Sequence, residues 1–263
     1  METETMLDSK LMSSAGCRGK PVVISYDRFR SALPVFRRDN DMSSQETNLE
    51  KYRRLRNAQK SLNSKLLDCL PRGARGNTVI LSAARELGYY VKHNTIVFSS
   101  EAAMDRLYDF LIYEPNRDGK SVAQRFLEDR DKHDISPDEE TVLRAAANSS
   151  TSLFKIVHAD RVTKRVDLND LLLERPVVSI YDINLAKTLQ GKSNGLLFGR
   201  ILVAGNIAFS SGATLLFTEG EESFLLKQCE QLHKIGNAAL RSRRRVALFM
   251  KMERHSPIET RYE

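Results

Sequence analysis

The apolar residues of this chain pass from helical period to period two at Asn148-Ser149-Ser150-Thr151, and no other feature constrains its fold as tightly. Upstream they recur at steps of three and four, the spacing of one helix face. Downstream they alternate, the spacing of a strand with one face buried. A chain patterned this way puts helices first and strands second. That is an α+β arrangement, not a run of alternating βα units.

The upstream half carries its own punctuation. Leu49, Tyr52, Leu55, Leu62, Leu66 and Leu70 form the stripe of a long helix over 46–70, stopped by Pro71 and Gly73. Asn77 or Thr78 is expected to cap a second helix that Gly88 ends. Thr95 to Phe98 reads as a short strand, and Ser99-Ser100-Glu101 opens a third helix to about Tyr113. Ser121 with Gln124, and Ser136-Pro137 with Glu139, are helix-start patterns for two more helices, the last to about Ala147.

Past the break, strands are expected at Leu153 to His158, around Val162 to Leu168, at Pro176 to Tyr181, at Leu196 to Ala204, at Ile207 to Phe209 and at Ala213 to Phe217. No glycine occurs from 121 to 190, and then Gly191, Gly195, Gly199, Gly205, Gly212 and Gly220 follow, which suits tight turns. So many short strands in so little chain point to a small closed barrel, SH3-like or OB-like, because closure hides the strand edges. Thr218 with Glu221 starts a final helix to about Leu240 that docks on it. The expected organisation is a disordered tail over 1–44, a helical domain over 45–148, a β-barrel with its closing helix over 152–240, and a basic flexible tail over 241–263. Met42-Ser-Ser-Gln-Glu-Thr47 reads like an ordinary protein start. Translation from Met42 is therefore one expectation, and a genuine flexible tail the other.

Composition enters through what it excludes. No stretch approaches the ~20 apolar residues of a membrane helix, so no membrane partner is expected. Cys17, Cys69 and Cys229 are odd in number and far apart, which argues against a disulfide framework or a cysteine-rich zinc site and for a cytoplasmic location. The net charge is +7, but residues 61–150 are slightly acidic, with 12 basic and 14 acidic groups. The β segment, 151–218, holds 8 basic and 5 acidic groups. Any polyanion site therefore belongs to the C-terminal half.

Several motifs fall short of chemistry. Ala83-Ala-Arg-Glu-Leu-Gly88 resembles the first half of a helix-turn-helix, but an acidic helix follows it, which phosphates would repel. Glu101, Asp105 and Asp109 form an acidic stripe, and two of them also suit a helix N-terminus. Cys229 and His233 have zinc-ligand spacing without further ligands. Gly191-Lys-Ser lacks the upstream glycine of a phosphate loop and lies between strands. No metal and no cofactor is expected.

The basic residues of the C-terminal half are the better candidates. Lys155, Arg161, Lys164, Arg165, Lys192 and Arg200 stand among Phe154, Tyr181 and Phe198. OB-type barrels hold single strands by combining such cations with stacking rings. Arg241, Arg243, Arg244 and Arg245 form either a phosphate-binding arm or a solvated helix end.

Cys69-Leu-Pro71, Ala83 to Gly88, Thr95 to Phe98 with Ser100-Glu101, and Asp109-Phe-Leu-Ile-Tyr113 together resemble a set of uncharacterised bacterial proteins. Ser152-Leu-Phe154, Asp170-Leu-Leu172 and Gly199-Arg200-Ile-Leu202 extend the resemblance, which spans about residues 60–205. It implies a helical region followed by a small β domain, and no activity or site residues. Some members of that set end in a SEC-C zinc motif. No cysteine follows Cys229 here, so that motif is absent.

The expected function is a non-catalytic protein-interaction or regulatory module with a protein partner. The alternatives are binding of RNA or single-stranded DNA by the basic β domain, and a hydrolase or metal enzyme whose scattered residues make no motif.

Overall fold

The computed structural model describes residues 22–24, 46–71, 73–116, 118–173, 175–189 and 195–253. Most of the expected 1–44 tail, the end of the chain from 254, and Lys192 lie outside them. Val22–Ile24, the apolar island of that tail, is strand β1.

Helix α1, Asn48–Asp68, starts at a capping box in which Thr47 and Glu50 satisfy each other's amides. Its buried side chains, Tyr52, Leu55, Gln59, Leu62 and Leu66, keep the three-four spacing. Helix α2, Gly73–Glu86, begins four residues before the expected cap, and the Thr78 hydroxyl back-bonds to Ala74 O within it. Gly88 closes α2 at φ +80°, a conformation that costs glycine nothing. A hairpin follows, β2 Tyr90–Lys92 and β3 Thr95–Phe98, turned by His93 and Asn94 at φ 47° and 61°. β1 pairs with the other edge of β3. The half helix-turn-helix pattern thus leads into a hairpin instead of a recognition helix. Helices α3 (Glu101–Tyr113), α4 (Val122–Glu128) and α5 (Pro137–Ala147) start at Ser100, Ser121 and Ser136.

The second half is a closed five-stranded β-barrel, so the α+β expectation of helices, then a small barrel, then a closing helix holds. Its strands are β4 Thr151–Asp160, β5 Arg165–Asp170, β6 Val178–Tyr181, β7 Gly195–Ala204 and β8 Ile207–Ser210. The ring runs β4-β5-β6-β8-β7 and back to β4, antiparallel except at the β6–β8 junction. This order, with helix α6 (Ile183–Thr188) between the third and fourth strands, is the OB-like alternative of the two barrels expected. β9, Leu215–Thr218, extends the sheet along the first half of β7.

Two apolar clusters divide the molecule. One fills the barrel with Phe154, Ile156, Val166, Leu168, Ile180, Leu197 and Ile201, and α6 plugs it with Leu185, Ala186 and Leu189. The other runs from α1–α5 onto the outside of β7, taking in Leu196, Phe198, Leu202 and Phe217. β7 is therefore buried on both faces, which is why its sequence is nearly continuously apolar.

The C-terminal end departs from expectation. The final helix is two: α7, Glu222–Leu232, and α8, Ala238–Glu253. Residues 241–253, expected as a flexible tail, are helical because Val246, Ala247, Phe249 and Met250 enter the helix-side core. Phe249 stacks on Phe198 at 3.9 Å between ring centres. The arginine run masks this stripe in the sequence, since the apolar positions begin only after it.

Candidate functional site

Strand alternation decides where each basic candidate goes. On β7, Arg200 has the parity of Phe198 and Leu202 and so points to the helices. It is 1% exposed. Its guanidinium pairs with Glu114 at the end of α3, donates to Ser149 O at 2.9 Å, and lies 3.8 Å from Asp109. Ser242 on α8 donates to the second Glu114 oxygen at 2.6 Å. Three elements and the α5–β4 link thus meet at one buried charge group. Burial pushes the Asp109 carboxyl up to about 6, against the opposing pull of Arg200. Burial likewise raises the Tyr113 hydroxyl, which donates to Asn63. Perturbed groups of this sort mark functional sites or structural ion networks. Asp109 Oδ1 and Arg200 Nε are buried without a hydrogen-bond partner among the described residues, while Glu114 holds both Arg200 and Ser242, so the arrangement joins β7 to α3 and α8.

Three more candidates have internal partners. Lys155 bonds Glu219 and Glu222 at 2.9 and 3.2 Å, and these hydrogen bonds raise its pKa. Arg243 bonds Glu86 at 2.6 Å and lies over the Phe110 ring. Arg245 donates to Thr151 O at 3.2 Å. Arg241 and Arg244 share α8 with them, Arg244 exposed. The arginine run is thus largely a brace between α8 and the rest of the fold.

Arg161, Lys164 and Arg165 are instead gathered at the β4–β5 hairpin. Arg165 is exposed, donates to Ser179 Oγ at 2.9 Å and lies 5.5 Å from the Tyr181 ring centre. Lys164 takes φ 61° in the turn and donates to Arg161 O. The outer wall behind them reads across in register: Asp160, Arg165 and Tyr181, then His158, Asp167 and Ser179. A bulge between Ile156 and His158 turns Val157 outward as well. Val157, Val162 and Val177 are 54%, 86% and 58% exposed. This wall combines apolar side chains with charges of both signs, and its Asp160 accepts from the Val162 amide and the Thr163 hydroxyl, both at 2.7 Å, within the turn.

The other motifs disperse. Glu101 and Asp105 stay at the surface while Asp109 enters the seam. Cys229 is buried, its thiol pushed up to about 11, and His233 is exposed. Among the described residues, no three His, Cys, Asp or Glu side chains gather as a metal site. No described helix is long and apolar enough to cross a membrane.

Residues 46–263 match the model of a family described as a family of unknown function, DUF7986. The chain belongs to that family. The match takes in α1 to α8 and the whole barrel, and it leaves out β1. No curated protein and no solved structure matches the chain. Sequence reasoning missed Glu114 and Asp109 as partners of Arg200. One signal was present: Arg200 interrupts a run that is apolar on both parities, and such a strand has no wet face for a cation.

Proposed function

We propose that this family member is a non-catalytic binding module, working in the cytoplasm, that meets a protein partner through the open outer wall of β4, β5 and β6. The observation that carries this reading is the wall itself. Exposed Val157 and Val177 flank it and exposed Val162 stands at its hairpin tip, among Arg165, Asp167, His158 and Asp160. A single-sign stripe suits a polyanion, whereas mixed charge around apolar contacts suits a protein surface. The neighbouring wall at β7 is already closed by the chain's own helices. Unpaired Cys69 and Cys229 accord with a reducing compartment.

The test is site-specific photocrosslinking in cells, with the reactive residue at Val177 or, as control, at exposed Lys60 on α1. A discrete protein adduct from Val177 alone, reduced by Val157→Asp, supports the reading. Equal adducts from both positions overturn it. The second reading is single-stranded nucleic acid, favoured by Arg161, Lys164 and Arg165 meeting beside Tyr181. It requires a nuclease-sensitive adduct, together with oligonucleotide binding that weakens steeply as salt rises.

A further inference from the structure

Where the C-terminal half of α5 crosses β7, a cleft of about 370 Å³ opens beside the β7–β8 turn. Sites for small molecules span ~300–1,000 Å³. Its floor is apolar: Ala145, Ile201 and Val203 line it, and Val203 is 58% exposed in an otherwise buried strand. Its rim is cationic. Arg144 comes from α5, Arg175 comes from the β5–β6 connection, and no Asp or Glu among the described residues lines the cleft.

Both guanidinium groups retain capacity. Arg175 donates to Ser150 Oγ at 3.1 Å and has no carboxylate partner among the described residues. Arg144 holds Glu140 through Nε and Nη2, at 3.1 and 2.6 Å, which leaves Nη1. Glu140 is shared with Arg130, and exposed pairs of this kind restrain an arginine weakly. A helix C-terminus ordinarily repels anions through its last carbonyls. Here Asn148 Nδ2 donates to Arg144 O, Ser149 Oγ to Ala146 O, and Gln124 Nε2 to Ala147 O. The negative end is blunted beside the two arginines.

We propose that this cleft binds a carboxylate carried next to a branched aliphatic group. Arg175 and Arg144 take the carboxylate, whose two oxygens match the guanidinium fork. Val203 and Ile201 lie under the aliphatic part. A small free acid and the apolar C-terminal residue of a peptide share this chemistry. The site is separate from the open wall of β4–β6, and it stands or falls without it.

Full-length protein with labelled Ile and Val methyl groups, titrated with N-acetyl-leucine and with N-acetyl-leucinamide, reads the site directly. The acid shifts the Val203 and Ile201 signals to saturation, and the uncharged amide leaves them in place. Arg175→Gln weakens the acid roughly tenfold, the loss of one charge-assisted bond, with Tm unchanged because Arg175 is exposed. No shift up to ~10 mM acid overturns the proposal. So do equal shifts from acid and amide, and so does inorganic phosphate moving the same methyls as far as the acid does. Two further probes separate the sources. 4-Methylpentanoate binding as tightly as N-acetyl-leucine assigns the site to a free acid, and tighter binding of a pentapeptide ending in leucine assigns it to a C-terminus.

Discussion

Strands β7 and β5 obey the same alternation, yet their arginines end in opposite environments. Arg200 on β7 is sealed between the barrel and the helices, paired with Glu114. Arg165 on β5 lies in solvent against Ser179 and Tyr181. The two strands differ in how many of their faces are apolar. β7 has Leu196, Phe198 and Leu202 on one parity and Leu197 and Ile201 on the other. β5 has Val166 and Leu168 on one parity only. A cation in a two-faced strand must find a buried carboxylate, because an unpaired buried charge is very costly. A cation in a one-faced strand meets water.

The largest expected effect breaks the closed side. Arg200→Ala strands Glu114 in the core, and denaturant unfolding should show a loss of about 3–5 kcal/mol. Adding Glu114→Gln should recover part of it, because much of the cost lies in the uncompensated carboxylate. If Arg200→Ala is neutral, the seam is not held as described. Next comes Phe249→Ala, which removes the ring stacked on Phe198 and should cost about 3–5 kcal/mol if α8 belongs to the core. A solvated tail would give a loss near zero.

The third effect depends on pH. Asp109 holds its proton more tightly in the folded chain, at about 6, than in the unfolded chain, where about 4 is ordinary. Its contribution is fully present below pH ~4 and is lost as the pH rises through ~6. The drop from pH 4 to pH 7 should be about 2–3 kcal/mol steeper than in Asp109→Asn. Matching unfolding curves at the two pH values for both proteins would remove Asp109 from the seam's energetics. The smallest effect belongs to the open side. Arg165→Gln and Val177→Asp should change stability by less than about 0.5 kcal/mol, as surface substitutions do. A larger loss in either would mean that the wall is structural.

The same contrast explains what was legible in the sequence. Local signals survived where they act locally. Ser100, Ser121 and Ser136 each cap the helix expected of them, and Thr218 with Glu221 forms its capping box. The strands of the barrel followed from period two. Helix α6 was not expected, since six residues within a β segment make too short a pattern. The destinations of the basic residues were hidden, because Glu114 lies 86 positions from Arg200 and Glu86 lies 157 from Arg243. Pairing over such distances is fixed by how α3 and α8 pack. The +3 balance of the β segment therefore overstated its cationic surface, with Arg200 and Lys155 neutralised by acids from outside that segment.

The two-faced burial of β7 has a consequence for synthesis. Helix α1 meets the barrel through contacts such as Lys51 to Asn206, 155 residues apart. At ribosomal rates of roughly 5–20 residues per second, α1 leaves the exit tunnel on the order of ten seconds before β7 and β8 exist. During that interval the apolar faces of the N-terminal helices that later share a core with β7 have no barrel to rest on. That core closes only when α8 follows β7 out of the ribosome, because Phe249 completes it against Phe198.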